Sequence, residues 1–367
     1  MPLRAFRYRL YPSRAQETLI LDTLFLCSVL YNDLLEERRA KWKLQGVSVG
    51  FQEQCRSLPL RKAENPRLHS VYSQVLQDVA KRVDKAFDGF FRRLERGEKP
   101  GYPRFRPCRR YDSFTYPQAG SAFHLVEGGR RLHLAKIGDV KIKLHRELEG
   151  VPKTCTICRR AGRFYAVITC EVPLPTPLPR TGRAAGVDLG IESFAVTSDG
   201  EFFPPARYLR KSLQRIRRLQ RGIARSKQGS ARRRKRVRML QRMHVRLADQ
   251  RRDMHCKTAY RLAREYDLIA VEDLAIRNMV RNPHLALSIQ DAAWGAFLKR
   301  LLGKAEEAGR SVERVDPRYT SQECSRCGRI EKKTLSQRWH SCPCGAQMHR
   351  DVNSALVILR RVLHKIA

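Results

Sequence analysis

Acidic residues are in short supply: 36 Asp and Glu stand against 74 Lys and Arg, a formal charge of +38 over 367 residues. An excess of that size excludes solubility as its sole purpose and points to a polyanionic partner. The cations are not gathered in a tail. Positions 1–180 hold 34 of them and positions 181–367 hold 40, so phosphate contact should draw on most of the chain and weaken steeply with salt. Long hydrophobic runs are missing as well. The opening MPLRAFRYRLYPS has no apolar stretch of the signal-peptide kind, and the longest apolar segment, LILDTLFLCSVLY, is short and interrupted by Asp22. No membrane partner is expected, and the protein reads as cytosolic. In a reducing compartment the eleven cysteines are free thiols or metal ligands rather than disulfides. With 42% hydrophobic residues, the chain still has material for two or three compact cores.

RAFRYRLYP alternates as a strand does, and Pro12 stops it. Ser13 follows as an N-cap, with Gln16 completing a capping box that opens a long helix towards Lys43. Val75, Val79, Val83, Phe87, Phe90 and Leu94 recur at spacings of three and four, which predicts a second helix burying one face and ended by Gly97. Residues 13–100 therefore read as a small helical domain. From GYPRFRPCRRYDSFTY onward the period changes to two, and KIGDVKIKLHREL and TCTICRRAGRFYAVITCEV predict an antiparallel barrel or sandwich into which the opening strand pairs. EVPLPTPLPRTGRA, with four prolines, is the plainest linker, and a new domain should begin near residue 183.

That domain opens on GVDLGI, continues with FAVTSDGEFF as a hairpin around Asp199-Gly200, and passes into a very basic helical stretch. Between Arg207 and Arg252 there are 19 Lys or Arg and one acid, Asp249, with Gly229 and Ser230 breaking the run into a helical hairpin. With almost no acids to pair at i, i+4, the like charges would repel one another on a merely solvated face. Arg232, Arg233, Arg234, Lys235 and Arg236 are accordingly candidates for nucleic-acid contact. Arg109 and Arg110 are weaker candidates. With Arg104 and Arg106 they interleave with Tyr102, Phe105, Tyr111, Phe114 and Tyr116, a mixture that offers stacking platforms or, alternatively, core aromatics flanked by snorkelling arginines. Further on, DLIAVEDL is a buried strand, Trp294–Ala308 a helix, SVERVDP a strand and Asp351–Ile366 a closing helix.

Two of these apolar strands hold an acid at their heart, Asp188 in GVDLGI and Glu272 in IAVEDL. Such strands are covered on both faces, where a lone ionised carboxylate is costly unless paired or metal-bound, and neither motif supplies a basic neighbour. Asp351, in HRDVNSA, begins the last helix, where an acid can also be an N-cap. The order of strands and helices is that of an RNase H-like fold, in which the first and fourth strands are neighbours and the closing helix reaches the same edge. Three acids converging there call for hard divalent cations, two Mg2+ ions about 4 Å apart serving phosphodiester cleavage. Asp273 should face the other way, Asp199 belongs to a turn, and Glu192 stays outside the site. Cys324-Ser-Arg-Cys327-Gly and Cys342-Pro-Cys344-Gly form two knuckles that resemble a zinc ribbon holding one structural Zn2+. The second knuckle is one residue short, so His340 or His349 could replace a thiolate. Cys155-Thr-Ile-Cys158 lies in a strand, where residues three apart face opposite ways, and is read as a decoy.

FRYRLYPSRAQE, YPRFRPCRRYDSFTY, GVDLGI, VEDLAI, SIQDAAWGAFLKRL, VDPRYTSQECSRCG and HRDVNSA, in that order, resemble the recurrent segments of the TnpB family. These are small RNA-guided nucleases of bacterial and archaeal insertion sequences, related to type V CRISPR effectors. The likeness covers nearly the whole chain. It implies a multidomain α+β protein: a wedge-like β-barrel (1–12 and 101–180) with an inserted helical recognition domain (13–100), then a RuvC nuclease domain (181–317 and 349–367) with a zinc-ribbon insert (318–348). It further implies Asp188, Glu272 and Asp351 as the RuvC triad, and a guide RNA from the transposon end that pairs with double-stranded target DNA beside a short adjacent motif. The place of action would be the prokaryotic cytoplasm, at the nucleoid. The short second knuckle, and His349 where many relatives have an acid, depart from the family pattern. Two other readings remain: an RNA-guided DNA-binding regulator without cleavage, and an unguided resolvase or transposase using the same acids.

Overall fold

The alternation in LRAFRYRLY becomes strand β1 (Leu3–Tyr11), in which Phe6, Tyr8 and Leu10 point inward and are fully buried. The structure is a computed structural model that describes residues 1–205, 207–334 and 337–366; Ala367, the last residue of the expected nuclease segment, lies outside these. Pro12 ends β1, and Ser13 caps helix α1 (Arg14–Gln45): its Oγ accepts the Gln16 N–H at 3.3 Å while Gln16 Oε1 accepts the Ser13 N–H at 3.0 Å. α1 is long and apolar enough to cross a bilayer, but Ile20, Leu24, Leu30 and Leu34 are spent on the protein core. Short helices α2 (Phe51–Arg56) and α3 (Leu58–Glu64) lead to α4 (Ser73–Glu95). The predicted stripe of α4 is buried only in its first half, at Val75, Val79 and Val83; Leu94 is exposed, and Phe87, Phe90 and Phe91 gather with Tyr102 in an aromatic cluster.

Strands β2 (Ser113–Tyr116), β3 (Phe123–Val126), β4 (Arg131–Leu134), β5 (Gly138–Lys143), β6 (Val151–Arg160) and β7 (Arg163–Glu171) join β1 in one antiparallel sheet of order β2-β6-β7-β1-β5-β4-β3. Among the described residues its two edges do not pair, so the expected barrel or sandwich is an open sheet. Side chains satisfy one edge instead: Arg82 of α4 donates to the Ser113 carbonyl at 2.7 Å and to Thr115 Oγ1 at 2.8 Å. Helices and sheet share a single apolar core, so residues 13–100 do not bury a core of their own. This unit spans Met1–Leu174.

The second unit, Pro175–Ala367, begins within the proline-rich linker. Asp267 anchors the linker's end, accepting the backbone N–H groups of Thr181 and Gly182 at 3.0 and 2.8 Å. Strands β8 (Ala184–Asp188), β9 (Ala195–Thr197) and β10 (Phe202–Phe203) precede the long helices α5 (Tyr208–Ala224) and α6 (Ala231–Glu265). Next come β11 (Leu268–Glu272), α7 (Ile276–Met279), α8 (Pro283–Ala292), α9 (Trp294–Ala308) and β12 (Ser311–Val315). A small hairpin, β13 (Trp339–Ser341) and β14 (Gln347–His349), leads into the closing helix α10 (Arg350–Ile366). The sheet order is β10-β9-β8-β11-β12, with β8, β11 and β12 parallel and β9 and β10 antiparallel. Ala185, Val187, Ile269 and Val271 face Phe297 and Leu301 of α9 on one side, while Ala270 and Val315 meet Ile358 and Val362 of α10 on the other. This two-sided cover explains the near-continuous apolar character of β8 and β11.

Gly186 allows α10 to lie against β8. A Cβ there would stand 1.9 Å from the Ala355 carbonyl oxygen and 2.8 Å from the Leu359 nitrogen, so any side chain must push α10 off the sheet. Gly186→Ala is therefore expected to destabilise the second unit by at least about 1–3 kcal/mol, read as a lowered denaturant midpoint; an unchanged midpoint would contradict this packing.

Candidate active site

Asp188 and Glu272 are the last residues of adjacent parallel strands, and the register pairs Val187 with Val271 immediately before them. Both acids thus leave the sheet at its C-terminal edge. α10, seated on β8 through Gly186, starts at the same edge with Asp351 in its first turn. Glu272 and Asp351 are buried, and Asp188 keeps part of its surface open. Their proximity is electrostatically unfavourable. Burial first, then the charges of Glu272 and Asp351, push the Asp188 carboxyl well above the usual range, against Arg350 and the Leu189 backbone N–H. Burial also raises Glu272, against the Thr320 hydroxyl and Arg361. Three oxygen-donor groups at one edge, two of which raise the third, fit a hard cation, whose charge would relieve that repulsion.

The acids excluded by the sequence reading are engaged elsewhere. Asp273 pairs with Arg314 at 3.2 Å, Asp199 is held by Arg183 and the Tyr266 hydroxyl, and Glu192 pairs with Arg338 at 2.6 Å. Cations do reach the site, from α10 rather than from the two strand motifs. Arg350 Nε lies 3.7 Å from Asp351, and Arg361 acts on Glu272 from the far half of α10. Arg350 was visible in HRDVNSA; Arg361 and Thr320 are distant in sequence and become neighbours only through the fold. Thr320 donates to Glu272 Oε1 at 2.6 Å.

The thiols of Cys324, Cys327, Cys342 and Cys344 all lie within 4.8 Å of one another, and no other such ligand group occurs among the described residues, so the three carboxylates face one another at longer range. The Cys324–Cys344 and Cys327–Cys342 sulfur separations are 3.7 and 3.6 Å. A tetrahedral ion with 2.3 Å bonds to sulfur requires about 3.8 Å, so the quartet fits zinc. Gly328 and Gly345, with φ of +79° and +84°, close the two knuckles, and the one-residue Pro343 gap is absorbed in the β13–β14 turn. Neither histidine is needed as a ligand. Buried His340 contacts the Cys324 thiol from the side, beside Lys333, and His349 accepts the Asp351 N–H at 3.3 Å. Burial raises the Cys324 thiol, but backbone N–H groups of Cys327 and Arg326 and the His340 ring outweigh it and bring it down to about 6. Cys155 and Cys158 sit in β6 opposite Tyr116 and Ser113, and burial raises both thiols; among the described residues they join no metal-ligand group.

Helices α5 and α6 form the predicted basic hairpin, but not all its cations are available. Arg236 Nη1 donates to the Gly222 carbonyl and Ser226 Oγ, both at 2.7 Å, and Arg234 donates to the Gly229 carbonyl at 2.6 Å, so these two lock the turn. Arg232 and Lys235 are exposed and Arg233 partly so. The sequence reading missed a cleft of about 480 Å3 between the helices, where Lys211, Arg215, Arg242 and Arg246 stand over Leu219, Met239, Met243 and Leu247 with no acid in the lining. It also missed Asp291, which caps α5 by accepting the Leu209 and Arg210 N–H groups at 2.9 and 3.1 Å and pairs with Arg251 of α6. Arg109 and Arg110 are exposed, whereas Tyr111, Phe114 and Tyr116 are core. Tyr102 and Phe105 remain exposed, with the Arg39 guanidinium 5.7 and 5.1 Å from their rings.

Three family descriptions match the chain: "Probable transposase" over residues 167–283, "Cas12f1-like, TNB domain" over 294–358 and "Helix-turn-helix domain" over 1–46. Over the last span the structure has one strand and one long helix. The chain is 35% identical over 364 residues to a Streptomyces pristinaespiralis protein named as a candidate RNA-guided DNA endonuclease, covering 97% of this chain and 88% of that one. It is 29% identical over 376 residues to InsQ of Escherichia coli K12, named in the same way, covering 97% and 92%. A solved mini-RNA-guided endonuclease, CRISPR-Cas phi3, is 12% identical with a TM-score of 0.49, covering 98% of this chain and 92% of that one.

An acid whose pKa is higher in the folded than in the unfolded state binds extra protons when folded. The metal-free protein therefore loses stability as pH rises from the ordinary carboxylate range through the raised values of Asp188 and Glu272. Asp188→Asn is expected to raise the melting temperature of the metal-free protein at neutral pH and to flatten that decline, as read by calorimetry in EDTA. A variant melting lower, with the same pH slope, would contradict the mutual repulsion.

Proposed function

The chain belongs to the TnpB family of insertion-sequence RNA-guided nucleases, and from that premise we propose that Asp188, Glu272 and Asp351 are the centre at which it hydrolyses DNA phosphodiester bonds. The protein is an RNA-guided DNA endonuclease. The observation that supports this assignment of the centre is the convergence of three acids from separate elements at one sheet edge, where the charges of Glu272 and Asp351 act on Asp188. Two Mg2+ ions bound there would activate water and stabilise the leaving oxygen. The side chains supply oxygen ligands, and Arg350 stands beside Asp351 as a ready partner for phosphate.

The four cysteines hold one structural zinc in a ribbon over 318–348. The remaining segments act as wedge (1–12 and 101–180), recognition helices (13–100) and nuclease (181–317 and 349–367). The guide is RNA from the transposon end, and target DNA is entered beside a short adjacent motif. Sequence choice then falls to base pairing, which suits a chain whose cations are spread throughout. Phosphate contact is made by Lys211, Arg215, Arg242 and Arg246 in the hairpin cleft, with Arg232, Arg233 and Lys235 at its turn and Arg109 and Arg110 in the wedge. The enzyme works at the nucleoid.

The test compares binding and cutting for one guide and one matched target. Asp188→Ala, Glu272→Ala and Asp351→Ala should each reduce cutting to background while RNA retention and guided DNA binding persist, and chelating Mg2+ should reproduce all three. Wild-type cutting by Asp188→Ala would sink the carboxylate assignment. Guided binding without cutting in Mg2+ would make the wild-type protein a regulator, and matched cutting without RNA would make it an unguided resolvase or transposase.

A further inference from the structure

The four-cysteine module and the carboxylates are linked by the short chain segment 316–325, whose side chains and backbone make polar contacts with Glu272 and with α10. β12 ends at Val315, and after the Asp316–Tyr319 turn Thr320 is 3% exposed, shortly before Cys324 in the chain. Its hydroxyl has one proton and two acceptors, Glu272 Oε1 at 2.6 Å and the Pro317 carbonyl at 3.0 Å. The shorter contact, to the Glu272 oxygen, takes the proton. Beyond Thr320, Gln322 and Glu323 donate their N–H groups to the Tyr319 carbonyl, both at 2.9 Å. Glu323 is then clamped between Arg360 and Arg361 of α10, the latter at 2.5 Å. Asn353, fully buried two residues past Asp351, donates to the Glu323 carbonyl at 2.7 Å and accepts the Ser325 N–H at 2.9 Å. The base of the first knuckle thus grips both the strand end that presents Glu272 and the helix that presents Asp351.

Among its described residues the module has almost no apolar core to hold this grip. Its buried cluster is Cys324, Cys342 and Ala346, with Cys344 and Met348 against it. So small a core leaves the fold dependent on whatever joins the thiols. We propose that Thr320 is a positioning residue that orients Glu272 for a divalent cation, and that it thereby makes metal occupancy of the cysteine quartet set the affinity of the carboxylate site. This rests on the reading of Asp188, Glu272 and Asp351 as a metal site. A purely local role, capping the turn through the Pro317 carbonyl, is the alternative that the measurement has to separate.

The experiment titrates the full-length, zinc-loaded protein with Mn2+ at neutral pH without nucleic acid, following free Mn2+ by electron paramagnetic resonance and zinc by elemental analysis. Thr320→Val keeps the shape and removes the hydroxyl. It should retain about one zinc per chain and lose about tenfold in Mn2+ affinity, the scale seen when the outer partner of a metal ligand is removed. Thr320→Ser should bind Mn2+ as wild type does. Cys327→Ser, depleted of zinc, should lose Mn2+ affinity by a similar factor, and adding Thr320→Val to it should change little, because one route has been cut twice. Wild-type Mn2+ affinity in Thr320→Val, or losses that multiply in the double variant, would overturn the proposal. So would loss of zinc in Thr320→Val, which would confine Thr320 to the turn; if Val is refused by the turn, Thr320→Ala is read the same way. Asp188→Asn separates the two levels: if it leaves Mn2+ binding unchanged, the carboxylate reading itself has failed.

Discussion

The second unit is organised around a repulsion. Asp188, Glu272 and Asp351 come from two strands and a helix, and the fold brings them to one edge where burial raises Asp188 and Glu272 and the charges of Glu272 and Asp351 raise Asp188 further. Much of the surrounding structure is intelligible as the means of enforcing that approach. Parallel pairing fixes Asp188 beside Glu272, and the bare Cα of Gly186 lets α10 lie directly on β8. Thr320, Arg350 and Arg361 then moderate the accumulated negative charge without cancelling it. An arrangement that costs folding energy when empty would recover that cost on binding a divalent ion, and this is why the carboxylates are proposed as a cation site.

The same logic applies, with the opposite sign, to the basic hairpin. Lys211, Arg215, Arg242 and Arg246 line a cleft without an acid to offset them, and Asp291 is used to fix the first turn of α5 instead of neutralising that cleft. On the proposed reading, carboxylates gather where a cation would bind, and the cleft lining holds cations without an acid where phosphate would bind. The scarcity of acids in the composition is thus the global form of a local arrangement.

Some of this was legible in the sequence because the signals were local. An acid inside GVDLGI or IAVEDL stands out against its apolar neighbours, and CSRCG with CPCG announces a thiol quartet even though the second gap is short. The capping box of α1 is spelled by Ser13 and Gln16, and the strand context of Cys155 and Cys158 was enough to set that pair aside. What stayed hidden depends on tertiary approach. Thr320 is 48 residues from Glu272 in the chain, the role of Gly186 appears only when Ala355 packs over it, and Arg236 reads as one more surface cation until it folds back on Gly222. The open edge of the seven-stranded sheet was hidden for the same reason, since alternation predicts strands but not whether Arg82 will occupy the place of a strand partner.

The proposed chemistry turns on whether the three carboxylates hold divalent metal. Anomalous scattering from crystals of the protein grown with Mn2+ tests it most directly. The account predicts two peaks about 4 Å apart, bounded by Asp188, Glu272 and Asp351. Absence of any peak there, with Arg350 turned inward to neutralise the acids instead, would contradict it.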